Sequence, residues 1–305
     1  MKWHVGKIVT IFLLLLLPLF GDEAYEQEIK TAFAAAEKVM EKGPQQIKVF
    51  DQATLDLPEK FIFIPNPEAT NIMRAMGNPV SEGFAGMILP EKMDTWWFIT
   101  VNYDNAGYIK DDDAKNWKSD EMLQQMKENA VQINEERVKR HMPEVDVAGW
   151  VQTPMYYGDN HEVIWSVATK AKGVEDDQAQ GVNYNTLVLG RQGYIGLNLI
   201  TSLASVESLK PTSKMLIDQL HFVDGKRYSD VNFDTDKIAE YGLAALITGA
   251  AAKKLGLIAL AAAFLAKFAK VIALTLFGGT LWYKKWAAKK KQKETASTID
   301  TTNKF

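Results

Sequence analysis

The chain changes its pattern of apolar and polar residues twice, and these changes divide it into three regions. A short apolar run covers residues 8–20 after a basic start, and a much longer one runs from Lys253 to Lys285. Between them, apolar residues follow either a helical spacing or an alternating one, as in amphipathic helices and half-buried strands. The sequence therefore predicts a folded body between two apolar ends.

The body is predicted to contain both helices and antiparallel strands. Helical spacing predicts helices over residues 29–40, 68–77, 119–140 and 212–220. Alternation predicts two strands within residues 45–65, one over 95–103, and two hairpins that turn at 158–160 and 190–193. Because hairpins pair neighbouring strands antiparallel, we predict an α+β fold with an antiparallel sheet and flanking helices over residues 22–237.

Two tripeptides of the body occur twice. The strings "VNY" and "GYI" lie together at residues 101–109 and again at 182–195. Duplication of a sheet-and-helix unit would produce this pattern, and so would chance recurrence of short strings. One domain and a pair of similar subdomains both stay open at this point.

Charge is divided unevenly between the body and the C-terminal region. Residues 22–252 hold 22 Lys and Arg against 36 Asp and Glu, a net charge of −14, whereas residues 253–305 hold 11 against 2, a net charge of +9. Such asymmetry indicates that the basic end faces an anionic surface. Because the body is acidic, lipid headgroups are favoured over nucleic acid as that surface.

Residues 1–21 have the form of a secretory signal peptide. Lys2 and Lys7 precede the apolar run, and the chain turns acidic at Asp22. The run is shorter than the roughly 20 residues that a transmembrane helix needs, which favours a cleaved signal over a retained N-terminal anchor. In either case the residues beyond Asp22 are expected to be exported.

The C-terminal apolar stretch predicts a membrane anchor in two parts. An unbroken helix over residues 255–283 would be about 43 Å long, against roughly 30 Å of hydrocarbon, and would bury two lysines. We therefore predict an approach helix over residues 238–263 and a transmembrane helix over 264–283, with Lys267 and Lys270 at its outer boundary. The alternative is a buried hairpin of two soluble helices.

Several side chains around this span are expected to contact the membrane or a partner in it. Lys253 is expected to lie on the same helix face as Lys267 and Lys270. Trp282, Tyr283 and Trp286 are expected to form an aromatic belt at the inner side of the membrane. The basic tail, residues 284–305, is expected to stay in the cytoplasm. These signals predict a single-pass protein of the inner membrane with a periplasmic body.

The partners expected from this topology are the lipid bilayer and another inner-membrane or periplasmic protein. Small residues at a four-residue spacing, Ala245 and Gly249, also favour helix–helix contact and therefore a homo-oligomer. Cysteine is absent, which excludes disulfides, thiolate metal sites and a cysteine nucleophile. No cofactor or metal is expected.

Two stretches have the outline of metal sites. The string "HEVIW" at residues 161–165 begins like a zinc-protease helix, but Trp165 replaces the second histidine and the stretch is predicted to be a strand. The string "DNAGYIKDDD" gathers Asp104, Asp111, Asp112 and Asp113 around a glycine, without the spacing of an EF-hand. A solvated acidic turn is the favoured interpretation of this second stretch.

Four residues of the body are candidates for ligand binding. Arg191 lies between two glycines of a predicted turn, where its planar fork can grip a carboxylate or phosphate, or instead pair with the acidic surface of its own domain. The others are Asn183 and Tyr184 in the same hairpin, and Trp97. Since adjacent strand residues face opposite ways, Trp96 and Trp97 are expected to cover both faces of the sheet.

Parts of the chain resemble a known bacterial family. The strings that carry the resemblance are "GNPVSEG", "TVNYDNAGYIKDDDA", "LGRQG" and "DKIAEYGLAALITGAAAKKLG". Together they make the chain similar, from about Gly43 to Tyr283, to a family of membrane-anchored proteins of unknown function. The resemblance implies a common fold and an anchored topology, and it brings no activity or catalytic residue.

Two functions follow from these observations. The favoured one is an interaction, sensing or ligand-binding module of the cell envelope, because no complete catalytic motif is recognisable in the sequence. The alternative is an envelope hydrolase that acts on a lipid-linked or cell-wall substrate, with Asp104, Asp111 or Glu162 as acid and base. The hydrolase requires two of these carboxyl groups to flank one cleft.

Overall fold

A large antiparallel sheet organises the body of the protein. The computed structural model describes residues 23–78, 80–92, 95–139, 144–175 and 181–250. All of them belong to one compact unit, Met1–Ala251, and a second unit comprises Ala252–Phe305. The large sheet and the helices given below belong to the first unit.

The described residues form helices α1–α5, strands β1–β11 and two short 3-10 turns. The helices are α1 Glu23–Ala36, α2 Glu68–Ala75, α3 Ser119–Lys139, α4 Val206–Ile217 and α5 Leu243–Thr248. The first strands are β1 Glu41–Lys42, β2 Gln45–Val49, β3 Ala53–Leu57, β4 Phe61–Pro65, β5 Phe84–Pro90 and β6 Trp97–Asp104. The remaining strands are β7 Val145–Tyr157, β8 Glu162–Ala171, β9 Gly181–Gly190, β10 Gly193–Ser202 and β11 Leu220–Phe222. The 3-10 turns are Asp112–Asn116 and Tyr228–Asp230.

Two sheets are present in these residues. The large sheet has the strand order β1-β4-β5-β6-β10-β9-β8-β7, and the small sheet has the order β11-β3-β2. All paired strands run antiparallel. This confirms the predicted α+β class with an antiparallel sheet and flanking helices.

The two faces of the large sheet are covered differently. On one face, Ile99 and Leu197 pack in a single core with Leu55 of the small sheet and Leu216 of α4. The opposite face carries two separate cores. One lies under α1 and α2, and the other lies under α3 and α5. The centre of that face lies between these two cores.

Both predicted hairpins are confirmed, as β7–β8 and β9–β10, and α3 agrees with the predicted helix to within one residue. The prediction of two strands within residues 45–65 was wrong, because three strands are present. Their turns place Phe50 and Lys60 at φ values of 53° and 72°, a left-handed conformation that non-glycine residues rarely adopt. Because non-glycine residues occupy these left-handed positions, no glycine in the sequence marks the two turns.

Two further differences concern helix α4 and strand β5. The helix predicted over residues 212–220 lies at Val206–Ile217 and includes Pro211, which sequence rules place outside a helix interior. Strand β5, which was not predicted, joins β4 to β6 in the large sheet. Its residues are buried almost throughout, so no polar alternation marks it as a strand.

No helix within the described ranges is both long and apolar enough to cross a membrane. The predicted signal peptide, the transmembrane helix and the basic tail lie outside the described residues. The predicted approach helix is described only as far as residue 250, where Ile238 bridges to Tyr108 and α5 ends at Gly249 with φ 77°. The membrane contacts of Lys253, Lys267, Lys270, Trp282, Tyr283 and Trp286 therefore stay predictions.

Candidate functional site

Arg191 uses its guanidinium within its own chain. Its Nε donates to Asp236 Oδ2 at 2.7 Å, its Nη2 donates to Asp236 Oδ1 at 2.9 Å, and its Nη1 donates to the Gly225 carbonyl at 3.2 Å. These hydrogen bonds from Arg191, followed by one from the Asn232 N–H, lower the pKa of Asp236 below its ordinary value. The Arg191 guanidinium thus links the polar loop after β11 to the β9–β10 turn through hydrogen bonds.

The other three predicted ligand-binding residues do not surround Arg191. Tyr184 and Trp97 are 6% exposed and pack in the same core as the small sheet. Burial raises the pKa of Tyr184 to about 12. Asn183, the preceding residue in β9, is half-buried and faces the other side of the sheet. The four residues therefore do not form one site.

The three candidate carboxylates also have separate surroundings. Asp104 accepts a hydrogen bond from the Tyr194 hydroxyl at 3.2 Å, and Asp111 accepts one from the Tyr156 hydroxyl at 2.6 Å. Glu162 is 3% exposed and lies on the face that α4 covers, next to Lys214 and Asp218. Since Glu162 and Asp111 lie on opposite faces of the sheet, they do not flank a common cleft.

Asp111, Tyr156 and His161 form a hydrogen-bonded chain. Tyr156 donates its single proton to Asp111, and its oxygen lies 3.0 Å from His161 Nδ1. The tyrosine oxygen must therefore accept, which assigns a proton to Nδ1 of the imidazole. His161 has φ 52° in the β7–β8 turn, and its ring lies 4.1 Å from that of Tyr228. The helix geometry of a zinc protease is absent here, because Glu162 opens a strand.

The pKa values of the adjacent residues His161 and Glu162 are both shifted in the direction that favours the neutral side chain. Burial lowers the pKa of His161, with a smaller opposing effect of the Asp111 charge, and burial raises the pKa of Glu162. Burial also raises the pKa of Tyr156, and its hydrogen bond to Asp111 adds to the effect. Glu162 Oε1 has no hydrogen-bond partner in the described part of the chain.

The acidic turn contributes hydrogen-bond acceptors to the fold. Asp113 accepts from the backbone N–H groups of Leu243 and Ala244, and Asp111 accepts from Tyr156. Over the described ranges, no group of three or more His, Cys, Asp or Glu side chains is placed to hold a metal ion. Of the four carboxylates only Asp112 is exposed, so the turn is less solvated than the sequence pattern favoured, and Asp111 and Asp113 hold other parts of the fold.

A groove that was not predicted lies between the two sheets. It has a volume of about 430 Å³. Strand β2 forms one wall with Gln46, Ile47 and Lys48, and the ends of β4 and β5 form the other with Phe63, Pro65 and Phe84. Phe50, which is 48% exposed, also lines it.

The backbone of β2 presents free hydrogen-bonding groups to this groove. The Gln52 N–H donates to the Val49 carbonyl at 3.2 Å across the β2–β3 turn, so Val49 directs its backbone groups towards β3. Because successive strand residues direct these groups to opposite edges, Gln46 and Lys48 direct theirs away from β3. Within the described residues, no strand pairs with that edge of β2. Alternation in the sequence predicts a strand here but does not reveal its unpaired edge.

Comparisons with known proteins identify a family without an activity. The family model described as "Protein of unknown function (DUF2167)" matches residues 41–277. No curated protein matches the chain. Among solved structures, cyanobacterial PsbP (CyanoP) from Synechocystis sp. PCC 6803 is similar with a TM-score of 0.36 at 9% identity, over 58% of this chain and 91% of that one.

Proposed function

The chain belongs to the DUF2167 family, a family of unknown function, and we propose that it is an interaction module of the bacterial cell envelope. In this proposal, the exported body binds an extended segment of another envelope protein along β2. The observation that carries the proposal is the unpaired edge of β2 in the groove between the sheets.

An unpaired strand edge favours one kind of partner. The N–H and C=O groups of Gln46 and Lys48 can pair with the backbone of an added strand, which is a common mode of peptide recognition. Exposed edges also attract non-specific pairing, and a lysine on the edge counteracts it. The exposed side chain of Lys48 fits that protective role while its backbone stays accessible.

The side chains of the groove would supply selectivity. An added strand directs alternate side chains to either side, so that half of them face the wall formed by Phe63 and Phe84. The half-exposed ring of Phe50 offers an apolar contact to the same ligand. The Asn66 amide, which bonds the Phe84 carbonyl at 3.2 Å, keeps this wall in place. A peptide with apolar residues at every second position is the expected ligand.

Membrane attachment is the second part of the proposal. Its support is the charge of −14 over residues 22–252 and +9 over residues 253–305, together with the aromatic belt that precedes the basic tail. We propose a single-pass inner-membrane protein with a periplasmic body and a cytoplasmic C-terminus. The chain has no cysteine, so single engineered cysteines can map accessible positions without background labelling.

Replacing Lys267 and Lys270 with leucine tests this anchor. If both lysines fix the outer boundary of the span, the double replacement lets the helix slide and moves the accessibility boundary. Unchanged boundaries would show that the two lysines have another role.

Photo-crosslinking in native membranes tests the peptide site. Benzoylphenylalanine at position 48 should yield a specific protein adduct that mass spectrometry identifies. The matched control is position 159, an exposed residue in the β7–β8 turn, far along the chain from β2. Equal adducts at both positions, or none at position 48 across several growth conditions, would contradict the proposal.

A further inference from the structure

A row of uncharged polar side chains crosses the centre of the large sheet. Asn198 of β10 lies directly opposite Thr100 of β6 and Asn185 of β9 in the strand register. Asn102 follows Thr100 by two residues in β6, and Asn183 precedes Asn185 by two residues in β9, so both share this face but lie on opposite sides of the central three residues. These five residues form the row, and none of them is ionisable.

The row separates the two cores of its face. Phe98 and Ile200, which are level with Asn183, belong to the core under α1 and α2. Leu187 on the opposite side and Trp165, directly beside Asn185 at the end of the row, belong to the core under α3 and α5. The apolar cover of this face is therefore interrupted where the polar row lies, on the face opposite the small sheet.

The polar groups of the row are only partly satisfied by the protein. The Asn102 amide donates to the Thr100 hydroxyl at 3.2 Å, and the Asn185 amide donates to the Asn183 carbonyl at 3.3 Å. The side-chain oxygen of Asn198, at the centre of the row, is buried and accepts no hydrogen bond from the described residues. A buried acceptor without a donor is unfavourable, typically by about 1–3 kcal/mol, so this oxygen is suited to a donor from outside the chain.

We propose that this row binds a neutral, hydroxyl-rich ligand of the sugar class. Amide side chains donate and accept hydrogen bonds, and sugar hydroxyls do the same. The row offers no charge to compensate an ionic ligand, whose desolvation would be costly. Neighbouring strands are about 4.8 Å apart and alternate residues about 6.8 Å apart, so the amides span an area similar to one or two sugar rings.

Binding of defined sugars to the full chain in lipid nanodiscs tests this site. The probes are N-acetylglucosamine and glucose as neutral sugars, and glucuronate as a charged counterpart, with binding measured by saturation-transfer NMR and calorimetry. The neutral sugars should bind more tightly than glucuronate. Replacing Asn198 with leucine, or Asn183 with alanine, should weaken neutral-sugar binding about tenfold or more.

Two variants serve as controls for specificity and for folding. Asn116→Leu changes an exposed asparagine outside the row and should bind as the unchanged protein does. Asn183 is only half-buried, so Asn183→Ala should fold even if Asn198→Leu does not. Absence of neutral-sugar binding, equal binding of glucuronate, or unchanged binding by the Asn183 variant would overturn the assignment. Crosslinking at position 48 reports separately on the β2 groove.

Discussion

The carboxylate of Asp113 caps helix α5, because its Oδ1 accepts the Leu243 N–H at 3.1 Å. Its second oxygen accepts the Ala244 N–H at 2.9 Å, so one side chain serves two N–H groups at the start of the helix. At the other end, the Asn129 amide donates to the Thr248 carbonyl at 2.7 Å. The acidic turn and α3 thus hold both ends of α5.

Removing this cap should destabilise the body measurably. We expect Asp113→Ala to lower the free energy of unfolding by about 1 kcal/mol, the usual effect of losing a helix cap. Chemical denaturation followed by circular dichroism measures this change. The matched control is Asp112→Ala, since Asp112 is exposed in the same turn. Equal losses in both variants would show that the charge of the turn matters rather than the cap.

The pair of Arg191 and Asp236 predicts a specific dependence on pH. Because the pKa of Asp236 is lowered in the folded protein, its contribution to stability is present above the ordinary aspartate pKa and is lost as the pH falls through the lowered value. Asp236→Asn should therefore reduce the melting temperature at neutral pH and have less effect in acid. Asp224→Asn, which removes the 94% exposed partner of Arg227, should change the melting temperature little at either pH.

His161 should remain neutral to lower pH than an ordinary histidine. Burial lowers its pKa, and the Asp111 charge opposes this shift, so Asp111→Asn should lower the pKa further. Since the unfolded chain binds the proton more readily, stability should decrease as the pH falls below about 6.5, the ordinary histidine value. NMR titration of His161 in both proteins measures the pKa. An increase in the Asp111→Asn variant would contradict the assigned hydrogen-bonded chain.

The fold was more predictable than the candidate sites, for physical reasons. The β7–β8 and β9–β10 hairpins and α3 combine clear periodicity with local turn or capping signals. The groove and the polar row depend instead on strand order, which periodicity does not reveal. The cap by Asp113 depends on a contact between residues 113 and 243, which are distant in sequence. Asn183 was a candidate for ligand binding, but only the register shows that it shares a face with Asn198.

Glu162 should reduce stability at neutral pH. Burial raises its pKa, so its favourable contribution is present below the ordinary glutamate pKa and is lost as the pH rises through the raised value. We expect Glu162→Gln to increase the free energy of unfolding at pH 7 by about 1 kcal/mol, because an amide carries no charge to desolvate. Denaturation at pH 7 and pH 4 measures the difference, which should shrink in acid. A loss of stability at pH 7 would show that the carboxylate is paired.

Proline replacements in β2 test which edge of the strand is open. Lys48→Pro removes an N–H that points away from β3, whereas Ile47→Pro removes one that pairs with Leu55. Proline is tolerated on the open side of an edge strand, so Lys48→Pro should change the free energy of unfolding by less than about 1 kcal/mol. Ile47→Pro should lower it clearly more, because it removes a ladder hydrogen bond to β3 and a buried side chain. With the photo-crosslinker at position 46, Lys48→Pro should also abolish the partner adduct although the body stays folded. Equal destabilisation by the two prolines would mean that Lys48 already pairs through its N–H, and that β2 has no open edge for a partner strand.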